Sequence, residues 1–306
     1  YIVHPLRHTE LLRRMIRKAI ELHALAQERD RDRERLAELN ESLETHLALL
    51  RMDQQSGGHI QRRLLPAHPK VINGVYYDYW FAPSLYLSGD FLDYQRYNDR
   101  FSAFYFADVS GHGASSAFVT VLLKYLCNRW LSEWDGQAPE RLPPDWLAAM
   151  NRELQDTNIG KHATLFVGVI DHEAHTLHYS LGAQLPMPLL AADGKLERLT
   201  GEGMPVGLFP DVEYPALSCA LPANFRLWLC SDGVLECLPG KTLDTRLTEL
   251  EQLVSESVTL EQLRDRLAKT NSLLIEGDEG DEANQDRDAL PDDLTIMMVS
   301  GFGHAD

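Results

Sequence analysis

Four short stretches place a carboxylate at the rim of an apolar run, three of them beside glycine. FSAFYFADVSGHG (101–113) ends a strand-like run on Asp108 and follows it with a Gly-rich turn. LSGDFLD puts Asp90 directly behind Ser88 and Gly89, and RLWLCSDGV puts Asp232 between another apolar run and Gly233. LPDDLTIMMV sets Asp292 and Asp293 just ahead of a third run. One such Asp is an ordinary turn former or helix N-cap. Several gathered at one end of a sheet would repel one another and raise their pKa values. Hard divalent cations such as Mg²⁺ and Mn²⁺, which take oxygen ligands, remove that conflict. A two-metal centre of this kind acidifies a shared water and clamps a phosphoryl oxygen.

Other candidates are weaker. His172, His175 and His178 resemble a ligand set, but they fall in a predicted hairpin, where a spacing of three puts alternate side chains on opposite faces. His112 is expected to be a structural residue near a helix start. SGHGASS lacks the GxxxxGK[ST] pattern of a phosphate-binding loop. No G-x-S-x-G nucleophile elbow occurs.

The elements that must deliver the acids are legible as apolar runs. Strands are expected at 75–82, 91–97, 101–107, 164–170, 176–181, 225–230 and 294–299, and helices near 114–133, 144–157, 244–256 and 259–274. Many strands with helices gathered in blocks indicate an α+β domain on antiparallel sheet. Ahead of it, residues 5–62 hold no Gly before Gly57 and Pro only at Pro5. Leu22, Leu36, Leu43 and Leu50, with Leu25 and Leu39, mark a heptad seam interrupted at Arg29 and Asp32. This predicts a long coiled-coil-like helix (7–59) that pairs with a second copy as a homodimer. The SGGH stretch (56–59) is expected to break that helix or act as a hinge, with the globular domain spanning 60–306. Residues 276–291 are acidic and polar, and read as a loop.

Composition narrows the function classes. The chain has 306 residues and a net charge of −17. Residues 1–66 carry 12 Lys and Arg against 10 Asp and Glu, a net +2, which leaves −19 on the remaining 240. That balance argues against nucleic-acid binding, which needs clustered cations, and suits a holder of multivalent cations. No apolar run reaches the roughly 20 residues of a membrane span, and no signal peptide is visible. Cys127, Cys219, Cys230 and Cys237 form no CxxC pair and read as free thiols of a cytoplasmic protein. The first residue is Tyr1 rather than Met, which reads as a piece of a longer chain.

The ordered set SGDFLD, FADVSGHG, LCSDGVLE and PDDLTIMMV resembles the metal-dependent protein Ser/Thr phosphatases of the PPM (PP2C) type, in the RsbU/SpoIIE branch. IQRRLLP (60–66), LGAQLPMPLL (181–190) and GMPVGLF (203–209) are similar to further segments of that branch. The resemblance implies a PP2C-like antiparallel β-sandwich flanked by helices, with two Mn²⁺ or Mg²⁺ ions at one end. It assigns Asp90 and Asp108 to the bridging pair that also holds the attacking water, and the Val109 backbone carbonyl, Asp232 and Asp292 to the remaining metal ligands. It implies hydrolysis of a phosphoserine or phosphothreonine protein without a phosphoenzyme, the expected substrate being an anti-sigma factor antagonist. Gln184 stands where the branch often has His, and is expected to shape the core or a loop. Ser88 replaces a Gly of the branch.

YIVHPL (1–6) resembles the last strand of a response-regulator receiver domain, with His4 in place of Lys. The chain is then the output part of a two-component regulator. It also resembles Pseudomonas-type RssB regulators, so an adaptor that binds a sigma factor or its regulators, with little hydrolysis, is the alternative function.

Overall fold

The computed structural model describes residues 9–111, 113–270 and 290–304. The YIVHPL stretch, His112 and residues 276–289 of the acidic segment lie outside the described residues. The chain divides into two compact units, residues 1–53 and 54–306. In the first, every described residue is helical. The seam leucines Leu22, Leu25, Leu36, Leu39, Leu43 and Leu50 are all more than half exposed.

The helix, α1 (Thr9–Leu64), does not break at SGGH but runs through it. The expectation of a break rested on the cost of glycine within a helix, about 1 kcal/mol relative to Ala. Packing outweighs it. A Cβ on Gly58 would lie 2.2 Å from the Tyr86 carbonyl oxygen, and one on Gly57 would lie 3.3 Å from the Leu87 side chain. The two glycines let the helix lie against residues 86–87.

The second unit is a sandwich of two antiparallel sheets. One contains β3 (Asp90–Arg96), β4 (Phe101–Val109), β5 (Ala163–Asp171), β6 (Thr176–Gly182) and β9 (Leu217–Ala220), in that spatial order. The other runs β1 (Lys70–Ile72), β2 (Val75–Ala82), β11 (Leu294–Ser300), β10 (Arg226–Cys230), β7 (Leu189–Ala192) and β8 (Lys195–Arg198). Side chains alternate between faces. On β3 and β4, Leu92, Tyr94, Phe104 and Phe106 join Leu227, Leu229, Met297 and Val299 of the facing sheet in the inner core. The opposite parity, Phe91, Tyr105, Ala107, Leu165 and Val167, packs under α2 (Ala114–Glu133) and α3 (Leu142–Asp156). The outer face of the second sheet packs under α5 (Leu243–Ser255) and α6 (Leu260–Thr270).

All seven expected strands and four expected helices of this unit are present, with ends moved by a few residues. Four short strands, β1, β7, β8 and β9, and the four-residue α4 (Gly233–Glu236) were not legible. Three or four residues are too few to display a period of two. None of Cys127, Cys219, Cys230 and Cys237 is in a disulfide. Among the described residues no helix is long and apolar enough to cross a membrane.

Candidate metal centre

Asp90 opens β3 and Asp108 stands one residue from the end of β4. The antiparallel register makes them direct partners across the ladder. Asp90 shares the parity of Leu92 and Tyr94, and Asp108 that of Phe104 and Phe106, so both belong to the inner face at one end of the sandwich. Opposed like charges destabilise a strand pair, so this register makes sense only if something offsets them.

The facing sheet supplies the other acids. Asp232 follows β10 and heads α4, while Asp292 and Asp293 precede β11. β10 and β11 are paired, and Gly233 lets their ends meet: a Cβ there would lie 2.1 Å from the Asp293 carbonyl oxygen. Gly89 does the same on the first sheet. A Cβ on it would lie 2.6 Å from the Val109 carbonyl oxygen and 2.9 Å from that of Gly111. The Val109 N–H donates to the Gly89 carbonyl at 3.0 Å. The expected backbone ligand, Val109, therefore has its oxygen against Gly89, the residue that precedes Asp90.

The electrostatics follow from this crowding. Burial, then Asp108, holds the Asp90 carboxyl well above the usual range. Burial, then Asp232, Asp292 and Asp293, pushes Asp108 up to about 7. Asp232 is raised by burial and by Asp292. The Ser231 and Thr295 hydroxyls stand near Asp90 and favour its charged form. Even so, Asp90 Oδ2 is buried without a hydrogen-bond partner of normal geometry. Among the described residues no three His, Cys, Asp or Glu side chains are already gathered tightly enough to hold a metal ion. The backbone instead brings carboxylates near one another. An orphaned carboxylate oxygen and a Gly89 cradle walled by two carbonyls are an all-oxygen donor set, which fits Mg²⁺ or Mn²⁺.

Asp293, adjacent to the expected ligand, has a task the sequence did not reveal. Its Oδ1 accepts from the Ser84 N–H at 2.8 Å and the Ser84 hydroxyl at 2.9 Å, and its Oδ2 accepts from the Gly89 N–H at 2.8 Å. With both oxygens engaged, it clamps the loop that carries Asp90 to the start of β11. Gln61, near the end of α1, grips the same loop from the other side. Its Nε2 donates to the Ser88 carbonyl at 2.7 Å and to Thr120 Oγ1 on α2 at 3.0 Å, and its Oε1 accepts from the Ser88 N–H at 3.0 Å. In one sequence Asp293 offers only its adjacency to Asp292, and Gln61, among His59, Arg62 and Arg63, offers nothing that sets it apart from its polar neighbours.

The histidines are placed apart from this centre in their bonding. His172 Nε2 shares a hydrogen bond with Ser102 Oγ at 2.7 Å, and the His175 ring stacks on Phe302 at 4.1 Å. Gln184 is buried and donates to the Cys230 carbonyl at 3.1 Å, a packing role.

Residues 98–300 match the family described as stage II sporulation protein E (SpoIIE). The phosphoserine phosphatase RsbP of Bacillus subtilis is 27% identical over 178 residues, which cover 58% of this chain and 43% of RsbP. The chain spans less than half the length of the curated relatives it matches. The PP2C domain of SiaA from Pseudomonas aeruginosa superposes with a TM-score of 0.63 at 17% identity, over 83% of this chain and 98% of that one. The catalytic domain of the serine/threonine protein phosphatase PstP, solved with two manganese ions, gives a TM-score of 0.52 at 15% identity, over 74% of this chain and 97% of that one.

Proposed function

The chain belongs to the SpoIIE family, and on that premise we propose that its globular unit is a metal-dependent protein serine/threonine phosphatase. The observation that carries this reading is the convergence of Asp232 and Asp292 of one sheet on Asp108 of the other, whose direct ladder partner Asp90 keeps a buried carboxylate oxygen without a partner. Asp90, Asp108, Asp232, Asp292 and the Val109 carbonyl would hold two Mn²⁺ or Mg²⁺ ions. When bound, such ions supply positive charge to a phosphoryl group and a water acidified for attack. The chain's own residues do the rest. Asp90 and Asp108 would orient that water, Asp293 and Gln61 hold the Asp90 loop still, and the paired strand ends bring the donors near one another, so that the ions would have only to draw them together. Water adds to phosphorus, and the serine or threonine oxygen leaves carrying a proton.

The substrate class we assign is the phosphoserine form of an anti-sigma factor antagonist, in the manner of RsbU-like phosphatases. The chain would serve as the output part of a response regulator, with α1 carrying the signal. The Gln61 contacts to Ser88 support this route, because they join the helix end to the loop holding Asp90. Changing helix pairing would then bias the site between two arrangements.

The decisive experiment is Asp108→Ala, assayed with Mn²⁺ on a phosphorylated antagonist. Loss of turnover by at least about 100-fold is the expected result; unchanged turnover would remove the metal assignment. If the wild type binds a sigma factor without Mn²⁺ and hydrolyses nothing, the adaptor function takes its place.

A further inference from the structure

The turn after β4 is held by a lysine from the lead-in to β5. Every polar atom of Ser110 is engaged. Its N–H donates to the His162 carbonyl at 2.8 Å, and its Oγ accepts from the His162 N–H at 3.2 Å. Its carbonyl accepts from Lys161 Nζ at 2.7 Å and from Ser116 Oγ at 3.1 Å. The half-buried Lys161 ammonium also donates to Ser116 Oγ at 3.1 Å, and so joins the turn to the first turn of α2. The ammonium lies 3.1 Å from where a Cβ on Gly111 would be, and the φ of 73° at Gly111 favours glycine there.

These bonds bear on the Val109 carbonyl through peptide geometry. In a trans peptide the C=O and the following N–H point in opposite directions. With the Ser110 N–H fixed on His162, the Val109 C=O is turned away from β5 and toward β3, where its oxygen sits against Gly89. The Ser110 carbonyl, one peptide on, is the handle that stops this unit from rotating, and Lys161 is its charged partner.

We propose that Lys161 is a positioning residue for the metal centre: by drawing the Ser110 carbonyl and the Ser116 hydroxyl together, it keeps the Val109 carbonyl aimed beside Asp90. The inference rests on the metal-centre reading above. It makes a prediction opposite in sign to simple electrostatics. A lysine acting only through its charge repels a cation, so removing it would tighten Mn²⁺ binding. A lysine acting by position leaves weaker binding when removed.

The test is calorimetric titration of Mn²⁺ into the full chain as wild type, Lys161→Met, Lys161→Arg and Ser116→Ala, with the melting temperature of each metal-free protein. Lys161→Met is expected to weaken Mn²⁺ affinity about 10-fold or more, the range seen when partners of metal ligands are lost. Lys161→Arg, which keeps a charged donor, should recover part of it, and Ser116→Ala should show a smaller loss. Metal-free melting temperatures should stay close to wild type. If Lys161→Met does not fold, the Arg and Ser116 variants carry the test. Mn²⁺ binding that is unchanged or tighter in the variants overturns the role of Lys161 alone. A wild type that takes up no Mn²⁺ overturns the metal centre and this inference with it.

Discussion

At Asp108, crowding by acids ties stability to pH. Its carboxyl moves from 3.8 up to about 7 because it is buried and faces Asp232, Asp292 and Asp293. A carboxyl whose folded-state pKa is raised keeps its proton in the fold after the unfolded chain has lost it. Its stabilising share is complete below about 3.8 and is lost as pH climbs through about 7. Asp90 and Asp232 shift in the same direction. The metal-free protein should therefore melt at a lower temperature at pH 8 than at pH 5, and saturating Mn²⁺ should raise the melting temperature most at pH 8. A thermal scan across that range checks both, and a metal-free melting temperature that rises with pH would contradict the crowding. Gly233 is the second sensitive residue. Gly233→Ala puts a methyl group 2.1 Å from the Asp293 carbonyl oxygen. It should cost about 2 kcal/mol or more in denaturant unfolding and weaken Mn²⁺ uptake as the β10 and β11 ends separate.

Among the elements, the last turns of α1 belong to the site as much as to the helix. Gln61→Leu would leave the Ser88 N–H and carbonyl buried without their partners, at about 1–3 kcal/mol each. It should lower both the unfolding midpoint and turnover, whereas changes at the exposed Ile60 beside it should do neither. This element also shows where sequence reading stops. The long helix is legible from its spacing, yet the glycine pair reads as a break or hinge, because the Tyr86 carbonyl that it accommodates lies in another segment. The strands β3 to β6 could be read because they are long and apolar. The acids Asp90, Asp108, Asp232 and Asp292 could be read because each sits at the edge of such a run. Asp293, Gln61 and Lys161 could not, since their meaning lies in partners many residues away.

For the whole molecule, the leucine seam of residues 9–53 exposes Leu36 at 66% and Leu43 at 56%. A row of exposed leucines at heptad spacing calls for a second helix. Sedimentation velocity should find a dimer, and Leu36→Lys with Leu43→Lys should convert it to a monomer that still binds Mn²⁺; a wild-type monomer would refute the pairing. A last consequence comes from the position of β11. Although late in the chain, it lies inside its sheet, between β2 and β10. Asp293 just ahead of it bonds to Ser84 and Gly89, 209 and 204 residues earlier. Contacts of such sequence separation form late and slowly. On the ribosome, β2 and β10 emerge first and must wait with a strand-wide gap between them, their edges open to mispairing. The Asp293 clamp on the Asp90 loop can therefore form only when the end of the domain has been synthesised, and partial translation products should leave the edges of β2 and β10 unpaired.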